Sequence, residues 1–388
     1  MTELAPFQLI MNNLKFNPFY FLIFFIILLF NLTFAQPSWA KNVFEVENVE
    51  VDVTAEAAAV ARKLALIDGK TRAFQILLKR LTLRIEHQSL PNLSADKIDT
   101  YINDFSVSNE KTSPVRYLAL LTFRFKSEAV RIFLNENGFS FAETVSKPVL
   151  VLPVFQTAGA LILWDDPNPW RDAWASKQNN QALVPTILPL GDLADIAAIG
   201  AEQTMDGDLQ RLNAIAQRYG AGDTLVVFGA LRVDPAKARR VLEVYINRYG
   251  RNFQTQTEAA SFTQKKDETL NDLLSRAAKE MKTLVEDNWK RENLMQLSNS
   301  GIIPVSLSIS KLQDWIIVRS RLSLVAVVRR TEIVLLSKDE VRLNLHFFGE
   351  IDQLSLALEQ ADLKLFQEQG SWVLAPDFVI NNKVDKKL

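Results

Sequence analysis

The sequence predicts a chain of mixed α+β and α/β class. A small α+β sandwich comes first, then a largely parallel sheet covered by helices, then a strand-rich α+β module. Three observations carry this. From about Asn42 to Glu143 the hydrophobic pattern reads strand, helix, helix, strand, strand, helix. From Pro148 the run VLVLPVF is apolar on both faces, as a buried central strand is, and strands alternating with helices follow it. Beyond Gly301 short strands crowd together.

Taken in order, the first long apolar segment is an address rather than a structural element. Phe19 to Leu32 is almost continuously apolar, with Lys15 before it and Ser38-Trp39-Ala40 after it, the pattern of an export signal with a small-x-small cleavage site. The run is shorter than the roughly 20 residues a membrane span needs. Export to the periplasm with cleavage after Ala40 is expected, with an uncleaved signal anchor as the alternative and membrane contact expected only in that case; Met11 is an alternative start. With no cysteine after the apolar run, no lipid anchor is expected.

The expected organisation is a signal peptide over 1–40, an α+β module over 41–146, an α/β module over 147–299, a strand-rich module over 300–376 and a tail over 377–388. In the first module, FEVENVEVDV alternates as a strand and Thr54 is the expected cap of a long helix. Val60, Leu64, Ile67, Phe74, Leu78 and Leu81 recur at helical spacing and predict its buried stripe, with Thr71 in the gap. Arg62, Lys63, Lys70, Lys79, Arg80 and Arg84 lie opposite and read as a solvated face, or as a ridge for an anionic polymer. A helix over 94–103, a strand pair over 105–125 and the helix SEAVRIFLNENG stopped by Gly138 complete the module.

The middle module adds a strand over 183–188, helices over 193–201 and 208–219, the strands TLVVFGAL and RVLEVYINRY, and a helix over 267–289. Gly222 and Gly229 lack the spacing of a phosphate-binding loop, so no nucleotide is expected. The last module reads as the strands WIIVRSRLSLVAVV, TEIVLLS and VRLNLHFFG, a helix over 352–361 and the hairpin LKLFQEQGSWVLAP.

Composition excludes more chemistry than it suggests. Cysteine is absent, which removes disulfides, thiol nucleophiles and cysteine metal sites. The two histidines are His87, at a frayed helix end, and His346, on the outward face of a strand with no general base in view. Lys and Arg total 44 against 45 Asp and Glu, so no global field favours nucleic acid. No cofactor, no metal and no catalytic residue are expected.

The densest polar-aromatic stretch is WDDPNPWRDAW, residues 164–174. Its first reading is a turn. Asp and Asn side chains satisfy backbone amides, Asn168 caps a helix opened by Pro169, and Trp170 and Trp174 stand one turn apart. Trp174 is expected to be buried and Trp170 partly exposed. A second reading makes Trp164, Asp165, Asp166, Trp170 and Arg171 a ligand or partner surface. A third makes Asp165 and Asp166 a cation site or acid pair.

The start VDVTAEAAAVARKLALIDGKTRAFQILLKRLT, the pair PVLVLPVF and LILWDDPNPWRDAW, and the closing HFFGEIDQLSLALEQADLKLFQEQGSWVL together resemble an exported family of Gram-negative bacteria known as domain of unknown function two thousand and sixty-six. The first module also resembles the amino-terminal module of flagellar assembly protein T, and LVLPVF to RYGAGDTLVVFGAL the amino-terminal domain of TolB. These resemblances imply a periplasmic protein that works by touching an envelope protein partner, and they imply no catalytic residue. The expected function is therefore non-enzymatic contact at the cell envelope. The alternative is a periplasmic hydrolase or sugar-binding enzyme using Asp165 and Asp166.

Overall fold

The alternation in FEVENVEVDV changes phase at Asn48, and the backbone absorbs the change with a bulge. In the computed structural model, β1 (Glu45–Thr54) shifts register between Val46 and Val49, with Asn48 at φ 56°, so Val46, Val49 and Val51 all face the core. The structure describes residues 42–175, 182–234, 239–250, 256–295 and 299–377. The expected signal segment, its cleavage site and tail residues 378–388 lie outside them. The described residues carry the mixed α+β class predicted from the sequence, in three sheets.

The first sheet has the order β1-β3-β2 and is antiparallel throughout, with β2 spanning Ile102–Thr112 and β3 spanning Arg116–Phe125. Helix α1 (Ala58–Leu81) lies on it, followed by α2 (Ala95–Asp99) and, after β3, α3 (Ser127–Glu136). Gly138, at φ 74°, ends α3 as expected.

Two expectations for α1 are corrected. Thr54 is the last residue of β1 and caps nothing, and the helix starts from Ala57 without a side-chain cap. The expected stripe is buried only in its second half, at Phe74, Leu78 and Leu81, whereas Val60, Leu64 and Ile67 face solvent. The first half seats Ala61, Ala65 and Gly69 on the sheet instead. A Cβ at Gly69 would lie 2.5 Å from Leu121 Cδ1, so close helix-to-sheet approach selects small residues there and turns the larger ones outward. Arg80, expected on the solvated face, is buried. Its guanidinium donates to the carbonyls of Val43 (2.6 Å) and Glu45 (2.7 Å), and burial lowers its pKa to about 10.

The second sheet has the order β5-β4-β7-β8-β9, built from β4 (Val149–Thr157), β5 (Ala160–Ile162), β7 (Asp223–Asp234), β8 (Arg239–Gly250) and β9 (Gln256–Thr263). The short β6 (Thr186–Ile187) also pairs with β4. The strand expected over 183–188 shrinks to β6, between Pro185 and Pro189, which have no N–H to donate. Between β5 and β7 run α4 (Pro169–Ala175), α5 (Leu193–Ala198), α6 (Ala201–Met205) and α7 (Leu209–Arg218), and α8 (Leu270–Glu292) follows β9. Both faces of β4 are buried. Val149, Val151 and Phe155 join the cluster under α4 and α8, while Leu150, Leu152 and Val154 join the one under α7. The sheet is mixed rather than largely parallel. β4 runs parallel to β6 and β7, but β5, β8 and β9 pair antiparallel. β7 ends at Asp234 and β8 starts at Arg239, and β8 ends at Gly250 and β9 starts at Gln256, connections too short for the crossover that parallel pairing needs.

The third sheet, of order β11-β12-β10-β14-β13, comprises β10 (Ser300–Ser308), β11 (Val328–Leu336), β12 (Glu340–Phe348), β13 (Leu363–Glu368) and β14 (Ser371–Pro376). Helix α10 (Ile351–Gln360) packs against it. The segment WIIVRSRL, expected as a strand, is instead most of helix α9 (Leu312–Leu322). Asp314 accepts the backbone N–H groups of Ser310 and Lys311 at 2.9 and 3.1 Å, and Trp315, Val318 and Leu322 are buried at helical spacing. The capped start and this burial outweigh the β-branched residues.

Candidate functional site

Asn168 is the hinge of the WDDPNPWRDAW segment. Its Oδ1 accepts the N–H of Arg171 at 3.0 Å and its Nδ2 donates to Leu163 O at 3.2 Å, so it starts α4 as the sequence predicts. The helix then turns its aromatic residues inward. Trp170 is fully buried, its indole N–H donates to Val227 O at 3.0 Å, and its ring meets that of Trp174 edge-on with centroids 5.8 Å apart. The expectation that Trp170 is partly exposed is thereby corrected. The reason lies across the sheet, where a Cβ on Gly229 would stand 3.1 Å from Trp170 Cε2; the glycine makes room for the indole. Trp174 is buried beside it. Lys282 donates to Trp174 O at 2.8 Å and holds its ammonium 5.3 Å from the ring centre, and burial lowers the lysine pKa.

Trp164 and Arg171 are tied to neighbouring backbone as well. Trp164 donates from its indole to Ile199 O at 2.7 Å, and Arg171 donates to the carbonyls of Pro189 (2.7 Å) and Leu190 (2.8 Å). Asp165 and Asp166 differ from these. Both are exposed, and neither makes a hydrogen bond or ion pair among the described residues. No group of three or more His, Cys, Asp or Glu side chains able to hold a metal occurs among the described residues either. Among the described residues the two exposed carboxylates therefore have no third ligand and no base beside them.

A polar network that the sequence reading missed fixes the loop which Arg171 grips. Asp195, fully buried, accepts from Gly191 N (2.9 Å) and from the Tyr219 hydroxyl (2.6 Å), and its other oxygen lies 3.1 Å from Arg218 Nε. Asp192 accepts from Asp195 N at 2.9 Å and pairs with Arg218 at 2.6 Å. Burial, then the bond to Asp195, pushes the Tyr219 pKa up. The Asp-x-x-Asp spacing marks a helix cap in the sequence, but no pattern joins it to residues more than twenty positions away.

Each histidine has a polar neighbour. His87 Nε2 lies 3.3 Å from Thr82 O, and burial lowers its pKa. His346 does have a carboxylate neighbour, contrary to expectation: Glu332 on β11 lies 3.1 Å from Nε2, with Arg330 at 3.2 Å. The contact with His346 holds the Glu332 carboxyl below its usual range. Two surface hollows, about 490 Å³ beside Gly200 and Arg211 and about 350 Å³ beside Ile302 and Trp372, are lined by none of residues 164–174.

No family model matches the chain, and no curated protein matches it. Among solved structures, a PelC dodecamer from Paraburkholderia phytofirmans is similar at 11% identity and a TM-score of 0.25, over 37% of this chain and 92% of that one. The lipoprotein GNA1162 from Neisseria meningitidis is similar at 12% identity and a TM-score of 0.24, over 36% of this chain and 96% of that one. Likeness at that level is too loose to carry a fold or a function.

Proposed function

We propose that the chain is a non-enzymatic protein of the periplasm that acts at the cell envelope by contact with other proteins. The observation that supports this best is the bare half of the α1 stripe. Val60, Leu64 and Ile67 are 43%, 45% and 36% exposed and stand one turn apart, in line with the buried Phe74, Leu78 and Leu81. Tyr101, Phe125 and Phe133 pack over Phe74, and no comparable cover lies over the first half among the described residues. An apolar row rimmed by charge, here the Arg62–Glu110 and Arg72–Asp68 pairs, has the make-up of a contact surface. The 164–174 segment offers no such row, because both its helical indoles are buried.

The test is complementation in a strain whose envelope becomes detergent-sensitive when the chain is deleted. Leu64→Lys with Ile67→Lys is expected to abolish rescue at unchanged protein level, and Asp165→Asn with Asp166→Asn to leave it intact. The opposite pattern would replace this reading with the hydrolase. Fractionation tests location, and a cytoplasmic product would refute the periplasmic part.

A further inference from the structure

The outermost strand of the third sheet, β11, pairs with β12 along one side, and no strand pairs with its other side among the described residues. Four successive large apolar side chains end it: Ile333, Val334, Leu335 and Leu336, at 46%, 62%, 42% and 49% exposure. An edge of this kind is a template for another strand. Its charges indicate which strand. Arg330 and Glu332 stand two positions apart, hence on one face, and are already 3.0 Å from each other beside His346.

We propose that β11 pairs antiparallel with β11 of a second copy, about a two-fold axis through Thr331. β11 is regular from Arg330 to Ile333, between register shifts at Val328/Arg330 and Ile333/Leu335, and over that stretch the pairing sets Arg330 opposite the second copy's Glu332 twice. Moving the axis by one residue sets Glu332 against Glu332, or Arg330 against Arg330, and like charges directly opposite are destabilising. Charge therefore selects one register, and the two third sheets become a single continuous sheet with a self-complementary seam. The proposal deepens the reading of the chain as a contact protein by naming one partner. It concerns β11 rather than α1, so either can fail without the other.

The absence of cysteine makes the test clean, because a single introduced cysteine can pair only with another molecule. In the full chain, Thr331→Cys is expected to give a disulfide-linked dimer under a mild oxidant, since residues on the axis face each other at bonding distance. Ser108→Cys, on exposed edge strand β2, is expected to stay monomeric. Adding Glu332→Arg or Arg330→Glu to Thr331→Cys should lower the linked fraction about tenfold, the sum of two lost attractions and two new repulsions. Co-expressing the two charge variants restores opposite charges across the seam and should recover the linked dimer. The light-scattering mass of the unaltered chain needs no variant. A monomer at its highest soluble concentration overturns the proposal, as does linkage indifferent to the charge reversals. A Thr331→Cys product linked to a different protein also overturns it, and makes the edge a site for a foreign strand.

Discussion

Gly229 and Trp170 decide what the tryptophan-rich segment can do. A fully buried indole that fills the space of an absent side chain and donates to Val227 O is a packing element, and it cannot also be a platform for a ligand. Trp170→Ala is therefore expected to cost about 3 to 5 kcal/mol in urea unfolding, as deletions of buried aromatics do. Asp165→Asn with Asp166→Asn should change stability by about 0.5 kcal/mol or less, since both side chains already face water. A tolerated Trp170→Ala would show that the indole is not seated as described. The residue scale also sets an acid limit. Arg276 grips Glu268 at 2.7 Å and, as the main cause, lowers its carboxyl pKa to about 2. A carboxyl depressed on folding adds stability above its ordinary value of 4.5 and loses it as the pH falls toward 2. The Tm difference between the parent and Glu268→Gln should therefore be present at pH 6 and close as the pH approaches about 2. A difference that holds constant across that range would show that the ion pair does not contribute.

Element boundaries were legible in the sequence wherever a local signal was sufficient. Gly138 stops α3 and Asn168 starts α4 as predicted, and the strand expected at VRLNLHFFG is β12, which turns Val341, Leu343, Leu345 and Phe347 into the core. What stayed hidden depended on a neighbour far along the chain. Periodicity finds the larger apolar residues of α1 but cannot show that Leu121 and Val51 approach Gly69 so closely that only small residues fit beneath the first half of the helix. The same limit hid the burial of Trp170, which Gly229 permits from β7, and the Asp195–Tyr219 bond, which spans 24 positions. A paired substitution tests the revised helix face. Ala65→Asp buries an unpaired carboxylate and should cost several kcal/mol, whereas Leu64→Asp should cost about 1 kcal/mol or less in urea unfolding. Equal loss at both positions would return Leu64 to the core.

At the scale of the whole molecule, the far end of α8 is the joint between the first two sheets. Lys290 is buried, and its ammonium donates to the carbonyls of Lys79 (3.0 Å) and Thr82 (2.9 Å), groups that the end of α1 leaves without helical partners. Arg84 reaches back to Glu280 at 2.5 Å, and its N–H donates to Asp287 at 3.1 Å. The neighbouring Trp289 donates to Thr144 O at 2.7 Å. Lys290→Met keeps the apolar stem but removes the ammonium donor to both carbonyls, a loss of about 1 to 3 kcal/mol; Arg84→Ala removes the outer pair. The consequence is readable because no tryptophan lies between residues 42 and 143, so tryptophan fluorescence reports the second and third sheets while far-UV circular dichroism reports all three. In the parent chain the two probes should give one coincident urea transition. In Lys290→Met with Arg84→Ala, circular dichroism should begin to fall at lower urea than fluorescence, because the first sheet has lost its polar hold on α8. Transitions that shift together would place the coupling in the apolar contacts around Phe141, Ala142 and Met295 instead, where Ala142 bridges to Leu294 and Met295 N–H donates to Phe141 O at 2.8 Å.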